Sequence, residues 1–322
     1  MKNNRNILFL FLFQISVSLL IILSVEFIIG NLGNGFIVLV NCVDWVKRRK
    51  ISLADQILTA LALSRIGVLC LAFLNWWVSV LYPVQSRTGE SLKSIYFTWT
   101  TMNHFSIWLA TSLCIFYFLK IANFSNSIFL YLKWRIEKVV SVTLLISLFL
   151  LFLNIVLLNT YLDVWIDRYK GNRTFHYSSR NPSVFSPLFL FTNTMFTFIP
   201  FTVSVTTFLL LIFSLWKHLK KMQHNARELR DTSTTIHVKA LKNVIAFLLL
   251  YTTYFLSFLV KVWSSELLDK SLIISFCQTA GIAFPSGHSY VLIVGNSKLK
   301  KACLSVLWWL RCRFKDVEPR GP

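Results

Sequence analysis

The sequence predicts an all-α fold, a bundle of seven membrane-crossing helices, on three observations. The first is composition: 322 residues are 55% hydrophobic and only 14% charged, against about 25% charged in soluble domains. The second is the spacing of long apolar runs, each near the ~20 residues needed to cross the hydrocarbon. The third is the placement of Lys and Arg, which lie between the runs and mostly on one side. The net charge of +20 therefore reflects membrane topology and not nucleic-acid binding. No soluble domain, internal repeat or low-complexity linker interrupts the chain. It reads as a single membrane domain, 1–322, with a cytoplasmic tail from 296.

The spans are expected at roughly 17–43, 55–81, 96–121, 139–161, 187–215, 243–263 and 271–295. With the first connection inside, the inner segments hold 22 of the Lys and Arg residues and the outer segments ten, with Arg65 left within a span. The N-terminus is then outside and the C-terminus inside. Lys2 and Arg5 run against the trend. The N-terminal MKNNRN-ILFLFLF has the first two regions of a signal peptide but no small-residue cleavage site. It is taken as an extension of the first helix, with cleavage the alternative.

In span one, Gly30-Asn31-Leu32-Gly33-Asn34-Gly35 lacks the Lys-Ser/Thr ending and the preceding strand of a phosphate loop. The better reading is small residues that allow close helix packing. In span two, Arg65 lies ten residues beyond Asp55, roughly 15 Å into the membrane. A guanidinium there needs partners. Asn34 on span one and His288 and Ser289 on span seven should reach the same depth, as either a static brace or a switch. Higher on span two, Trp76 and Trp77 reach the outer interface, where Trp is common.

Span three, WTTMNHFSIWLATSLCIFYFLKIANFS at 99–125, is apolar but carries Trp99, Asn103 and His104 in its upper part. Polar groups are costly in lipid, so this helix should face other helices. Trp99 and Asn103 are four apart and share a face. They suit either a ligand pocket or ordinary contacts within the bundle. Lys120 marks the inner end.

The second inner connection mixes apolar and basic residues and suits an interfacial helix or a docking loop. Span five carries Pro200, where a helix can bend. It continues into Trp216-Lys217-His218-Leu219-Lys220-Lys221, a basic extension for lipid headgroups or a signalling partner. Span six holds Tyr251 and Tyr254. After span seven, Leu299, Cys303, Val306 and Leu310 share one face of a Lys/Arg-rich stretch, which predicts an amphipathic helix on the inner leaflet. None of the six cysteines falls in an outer loop and none forms a CxxC pair, so no metal site and no cofactor are expected.

Over nearly its whole length the chain resembles the bitter taste receptor family of G-protein-coupled receptors. The resemblance rests on EFIIGNLGNGFIVLVNCVDWVKRRKIS at 26–52, DQILTALALSRI at 55–66 and NHFSIWLATSLCIFYFLKIANFS at 103–125. It continues in FLLLIFSLWKHLKKMQ at 208–223, HVKALK at 237–242 and PSGHSYVLIVGNSKLK at 285–300. The chain lacks the Asp-Arg-Tyr, Cys-Trp-x-Pro and Asn-Pro-x-x-Tyr of rhodopsin-like receptors, which suits this family. The resemblance implies a pocket for small bitter ligands lined by Trp76, Trp99, Asn103, Tyr254 and Gln278. Gln278 stands where some relatives carry Glu, which removes an anionic anchor for cationic ligands. It further implies a multi-pass plasma-membrane receptor that couples to a gustducin-type G protein, with phospholipase C and calcium downstream. Lys120, His218, Lys220 and Lys221 are the expected G-protein contacts.

Two other classes compete. Pro285-Ser286-Gly287-His288 matches one motif of membrane lipid phosphatases, but no histidine follows His288 to act as nucleophile. A transporter would favour paired half-repeats and interrupted helices, and neither is visible. The topology also makes a direct prediction. Asn172-Arg173-Thr174 is a glycosylation sequon in an outer connection, whereas Asn123-Phe124-Ser125 lies inside. Glycosidase treatment should shift the gel mobility of the wild type and leave Asn172→Gln unshifted.

Overall fold

The structure, a computed structural model, describes residues 2–48, 51–81, 89–171, 187–225, 232–263 and 270–317. Among them are nine helices and no strand: α1 Lys2–Arg48, α2 Leu53–Leu81, α3 Gly89–Ile121, α4 Ser127–Trp134, α5 Ile136–Gly171, α6 Pro187–Asn225, α7 Thr232–Trp263, α8 Lys270–Gly295 and α9 Ser297–Val317. Without water to bond the backbone, each span must satisfy its own peptide groups, and the helix does so. The seven expected spans correspond to α1, α2, α3, α5, α6, α7 and α8. The short α4 occupies the second inner connection and α9 the amphipathic tail, so both extra helices lie on the Lys/Arg-rich side.

Six of the helices, α1, α2, α3, α5, α6 and α7, contain stretches long and apolar enough to cross a membrane. The remaining span, α8, is diluted by Gln278, Thr279, Ser286, His288 and Ser289. It tolerates them because it packs between α1 and α7, where Thr279, Ser286, His288 and Ser289 are buried. α3 runs through the bundle centre against α2, α5 and α6, which explains its inward polar residues. α5 is peripheral and turns Leu145, Phe149 and Phe152 outward, toward lipid in this topology. α6 stays helical through Pro200, whose carbonyl accepts from Thr111 Oγ1 of α3 at 3.3 Å.

The α1–α8 contact depends on glycine. A Cβ on Gly30 would lie 2.7 Å from Ser286 Cβ and 3.0 Å from its Cα, and one on Gly33 would lie 2.4 Å from Ser289 Oγ. The close-packing reading of this stretch holds at Gly30 and Gly33, which bring α1 against α8.

The inner end is closed by a lysine. Lys298, at the start of α9, places Nζ 2.8 Å from Asp44 Oδ2 and 3.3 Å from Asp55 Oδ2, and donates to Asn41 Oδ1 at 2.9 Å. One cation thus ties α9 to both α1 and α2. At the outer end, Lys93 of α3 is paired with Asp163 of α5.

Gly30→Ala forces α1 away from the α8 backbone and should cost about 1–3 kcal/mol. Gly35, whose Cβ would meet nothing within 4 Å, gives the control. The melting temperature of the purified protein should fall for Gly30→Ala and hold for Gly35→Ala.

Candidate ligand cleft and intramembrane network

A cleft enclosing ≈ 400 Å³, its open mouth included, lies between α3, α5, α6 and α7 in the outer half of the bundle. α3 supplies one wall through Trp99, Thr100, Asn103, His104, Ile107 and Trp108. Trp99, Asn103 and Ile107 follow at four-residue spacing, the stripe of one helix face. Asn154 of α5, Phe196, Thr197 and Pro200 of α6 and Phe258 of α7 complete it. Its lining sets the rings of Trp99, Trp108, Phe196 and Phe258 beside five polar side chains, Thr100, Asn103, His104, Asn154 and Thr197, and such a mix of ring faces and hydrogen-bonding groups can receive a small molecule.

The polar groups are held in defined ways. Tyr254 of α7 donates its hydroxyl to Asn103 Oδ1 at 3.0 Å. His104 Nε2 lies 2.9 Å from the Ser147 carbonyl of α5. A carbonyl only accepts, so that nitrogen carries the proton. The Trp108 ring lies 5.9 Å from that of His104, and its Nε1–H is buried without an acceptor.

Of the five residues assigned to the pocket by resemblance, two line this cleft, Trp99 and Asn103. Tyr254 stands behind Asn103 and touches the cleft through it. Trp76 and Gln278 lie on the other side of Trp99. There Trp76 and Trp99 pack on a cluster of Leu23, Leu69, Ala72 and Ile282, and Gln278 Nε2 approaches the Ala72 carbonyl of α2 at 3.5 Å. Trp99 is thus the joint between the cleft and the α1–α2–α8 packing. Sequence reasoning missed Trp108, Asn154, Phe196, Thr197 and Phe258. The α3 stripe pointed toward its own face, but no signal in an apolar run reveals how α5, α6 and α7 rotate toward it.

The intramembrane network divides into two parts. Arg65 is 0% exposed. Its Nη2 lies 2.6 Å from His288 Nδ1, and its guanidinium sits 4.8 Å over the Phe284 ring. Arginine only donates, so His288 accepts at Nδ1 and keeps its proton on Nε2. Asn34 and Ser289 do not hold Arg65, contrary to the expectation. Asn34 Nδ2 donates to the Pro285 carbonyl at 3.1 Å and the Gly30 carbonyl at 2.8 Å, while Ser289 donates to Ser286 O at 2.7 Å. The glycine contact brings α1 so close to α8 that short polar side chains find backbone carbonyls first. His288 of the phosphatase-like motif is therefore engaged inside the bundle, facing an arginine.

On the inner side, Lys120 and Lys220 are exposed. Their ammonium groups lie 5.2 Å from the Phe116 ring and 5.6 Å from the Trp216 ring. His218 and Lys221 belong to α6, but their side chains lie outside the described residues, as does Asn172.

The sequence pattern of the Taste receptor protein (TAS2R) family matches residues 12–311. The chain belongs to this taste receptor family. It is 58% identical over 300 residues to Taste receptor type 2 member 14 of Macaca mulatta, covering 93% of this chain and 94% of that protein. It is 57% identical over 300 residues to Taste receptor type 2 member 14 of Homo sapiens, covering 93% and 94%. With Taste receptor type 2 member 125 of Rattus norvegicus the identity is 56% over 301 residues, covering 94% and 96%. Family and helices together make this a multi-pass membrane receptor and no enzyme. The seven-helix reading agrees with this family, and α4 and α9 are accessory helices among the described residues.

Trp99→Ala removes aromatic wall from the cleft. It should weaken responses to most agonists by about tenfold with surface level retained. Dose–response curves beside cell-surface labelling check this, and a loss of surface receptor would instead assign Trp99 to packing.

Proposed function

We propose that this taste receptor is a plasma-membrane receptor for small bitter compounds, which enter the outer cleft and drive coupling to a gustducin-type G protein. Phospholipase C activation and calcium release follow. The observation that carries the reading is the aromatic cleft between α3, α5, α6 and α7, with Trp99 and Asn103 on its central wall. Its walls supply apolar area and ring faces, and its amides orient a ligand. Trp76 and Gln278 act on this site through Trp99 and the α2–α8 contact, and Tyr254 through Asn103.

The inner face supplies the transducer surface. Lys120 and Lys220 are exposed on the inner side, where α4 presents Ile128, Tyr131 and Trp134, also exposed, and the sequence adds His218 and Lys221 to the same basic stretch. A cationic patch with apolar anchors fits an amphipathic, acidic element of a partner protein. In this reading the Arg65–His288 pair lies between the two ends and biases the bundle when α7 and α8 shift.

A chemically diverse bitter panel, read by calcium in cells supplied with a promiscuous G protein, should contain activators. Replacing Lys220 and Lys221 by Glu should then depress the calcium response at least several-fold while ligand binding persists. Unchanged responses would assign those lysines to lipid headgroups.

A further inference from the structure

The cleft has a built-in hydrogen-bond sense. Asn103 is the side-chain amide on its central wall, between Thr100 and His104, and an amide can offer either its carbonyl or its N–H₂. Here the choice is made from behind: the Tyr254 hydroxyl takes Oδ1 at 3.0 Å, and Tyr254 itself is not among the cleft-lining residues. The Nδ2 hydrogens are left for whatever fills the cleft. Roughly 7.5 Å further along the α3 axis, Trp108 adds a second N–H, 4% exposed as a residue and without an acceptor. An indole can only donate. Among the described residues, no Asp, Glu, Lys or Arg lines the space.

A buried donor left unpaired costs free energy that a ligand returns only by bringing an acceptor. Among the described residues a cation would meet no carboxylate and an anion no Lys or Arg, so either would give up its hydration for ring faces and neutral dipoles alone. We propose that the cleft selects uncharged ligands through a hydrogen-bond acceptor, a ketone, lactone, amide or sulfonyl oxygen, received first by Asn103 Nδ2. Tyr254 is the positioning residue that holds Asn103 in its donating orientation. The inference rests on the cleft being the ligand site and deepens that reading by naming the ligand's chemistry.

Matched ligands differing only in the acceptor test it: fluorenone against fluorene, and benzophenone against diphenylmethane. Binding is read by thermal shift of the purified receptor and by calcium response. The wild type should prefer each ketone by up to about tenfold, the range of a net hydrogen bond. Asn103→Leu should remove the preference. Tyr254→Phe, which keeps the ring and frees the amide to turn, should reduce it while fluorene and diphenylmethane bind as before. Equal weakening of both members of a pair in Tyr254→Phe would make Tyr254 a packing residue and overturn its role. Absence of any ketone preference in the wild type would overturn the inference while other agonists still respond to Trp99→Ala. Insensitivity of all agonists to both Trp99→Ala and Asn103→Leu would instead remove the cleft as the ligand site.

Discussion

A guanidinium buried in the middle of a membrane bundle constrains everything around it. Arg65 is fully enclosed, and no carboxylate among the described residues pairs with it. Its cost in such a place is large unless neighbours supply electron density. Two groups on α8 do so: the His288 lone pair at Nδ1 and the face of Phe284. Phe284 in turn stacks on Tyr251 of α7, ring centres 4.9 Å apart, and His288 meets Phe247 at 4.5 Å. The charge on α2 is therefore carried by an aromatic assembly spanning α7 and α8, and α8 can hold its polar side chains in a membrane because it has this task.

The same geometry links the outer and inner halves. Tyr251 lies one turn from Tyr254, which grips Asn103 in the cleft. Below, α8 leads into Asn296 and then Lys298, whose ammonium ties α9 to Asp44 and Asp55. A displacement of α7 at the cleft has rigid neighbours through which to act on the Arg65 pair. The physical content is a bistable packing problem, in which aromatic rings repack in discrete arrangements.

Close helix approach lets some buried polar side chains bond backbone carbonyls of a neighbouring helix. Gly30 and Gly33 bring α1 onto α8, and Asn34 then bonds the Pro285 carbonyl and not Arg65. His104 likewise reaches a backbone carbonyl on α5. Side chains that find backbone acceptors leave fewer groups for ligands, and in the cleft the buried Trp108 N–H is left without an acceptor.

Much of this was legible in the amino-acid order. Apolar run length and Lys/Arg asymmetry determine that the chain crosses the membrane and in which sense, because lipid leaves the backbone no alternative to helices. The Gly-x-x-Gly spacing marks the tight contact, and Trp99 and Asn103 mark the inward face of α3, because periodicity along one helix is local information. Tertiary structure alone decided what those faces meet. The rotation of nearly uniform apolar helices such as α5 and α6 carries no periodic signal, so Asn154, Phe196 and Thr197 could not be assigned to the cleft. Nor could Tyr254 be told from a wall residue, or Lys298 from a free tail charge, since each role depends on a partner 151 or more positions away.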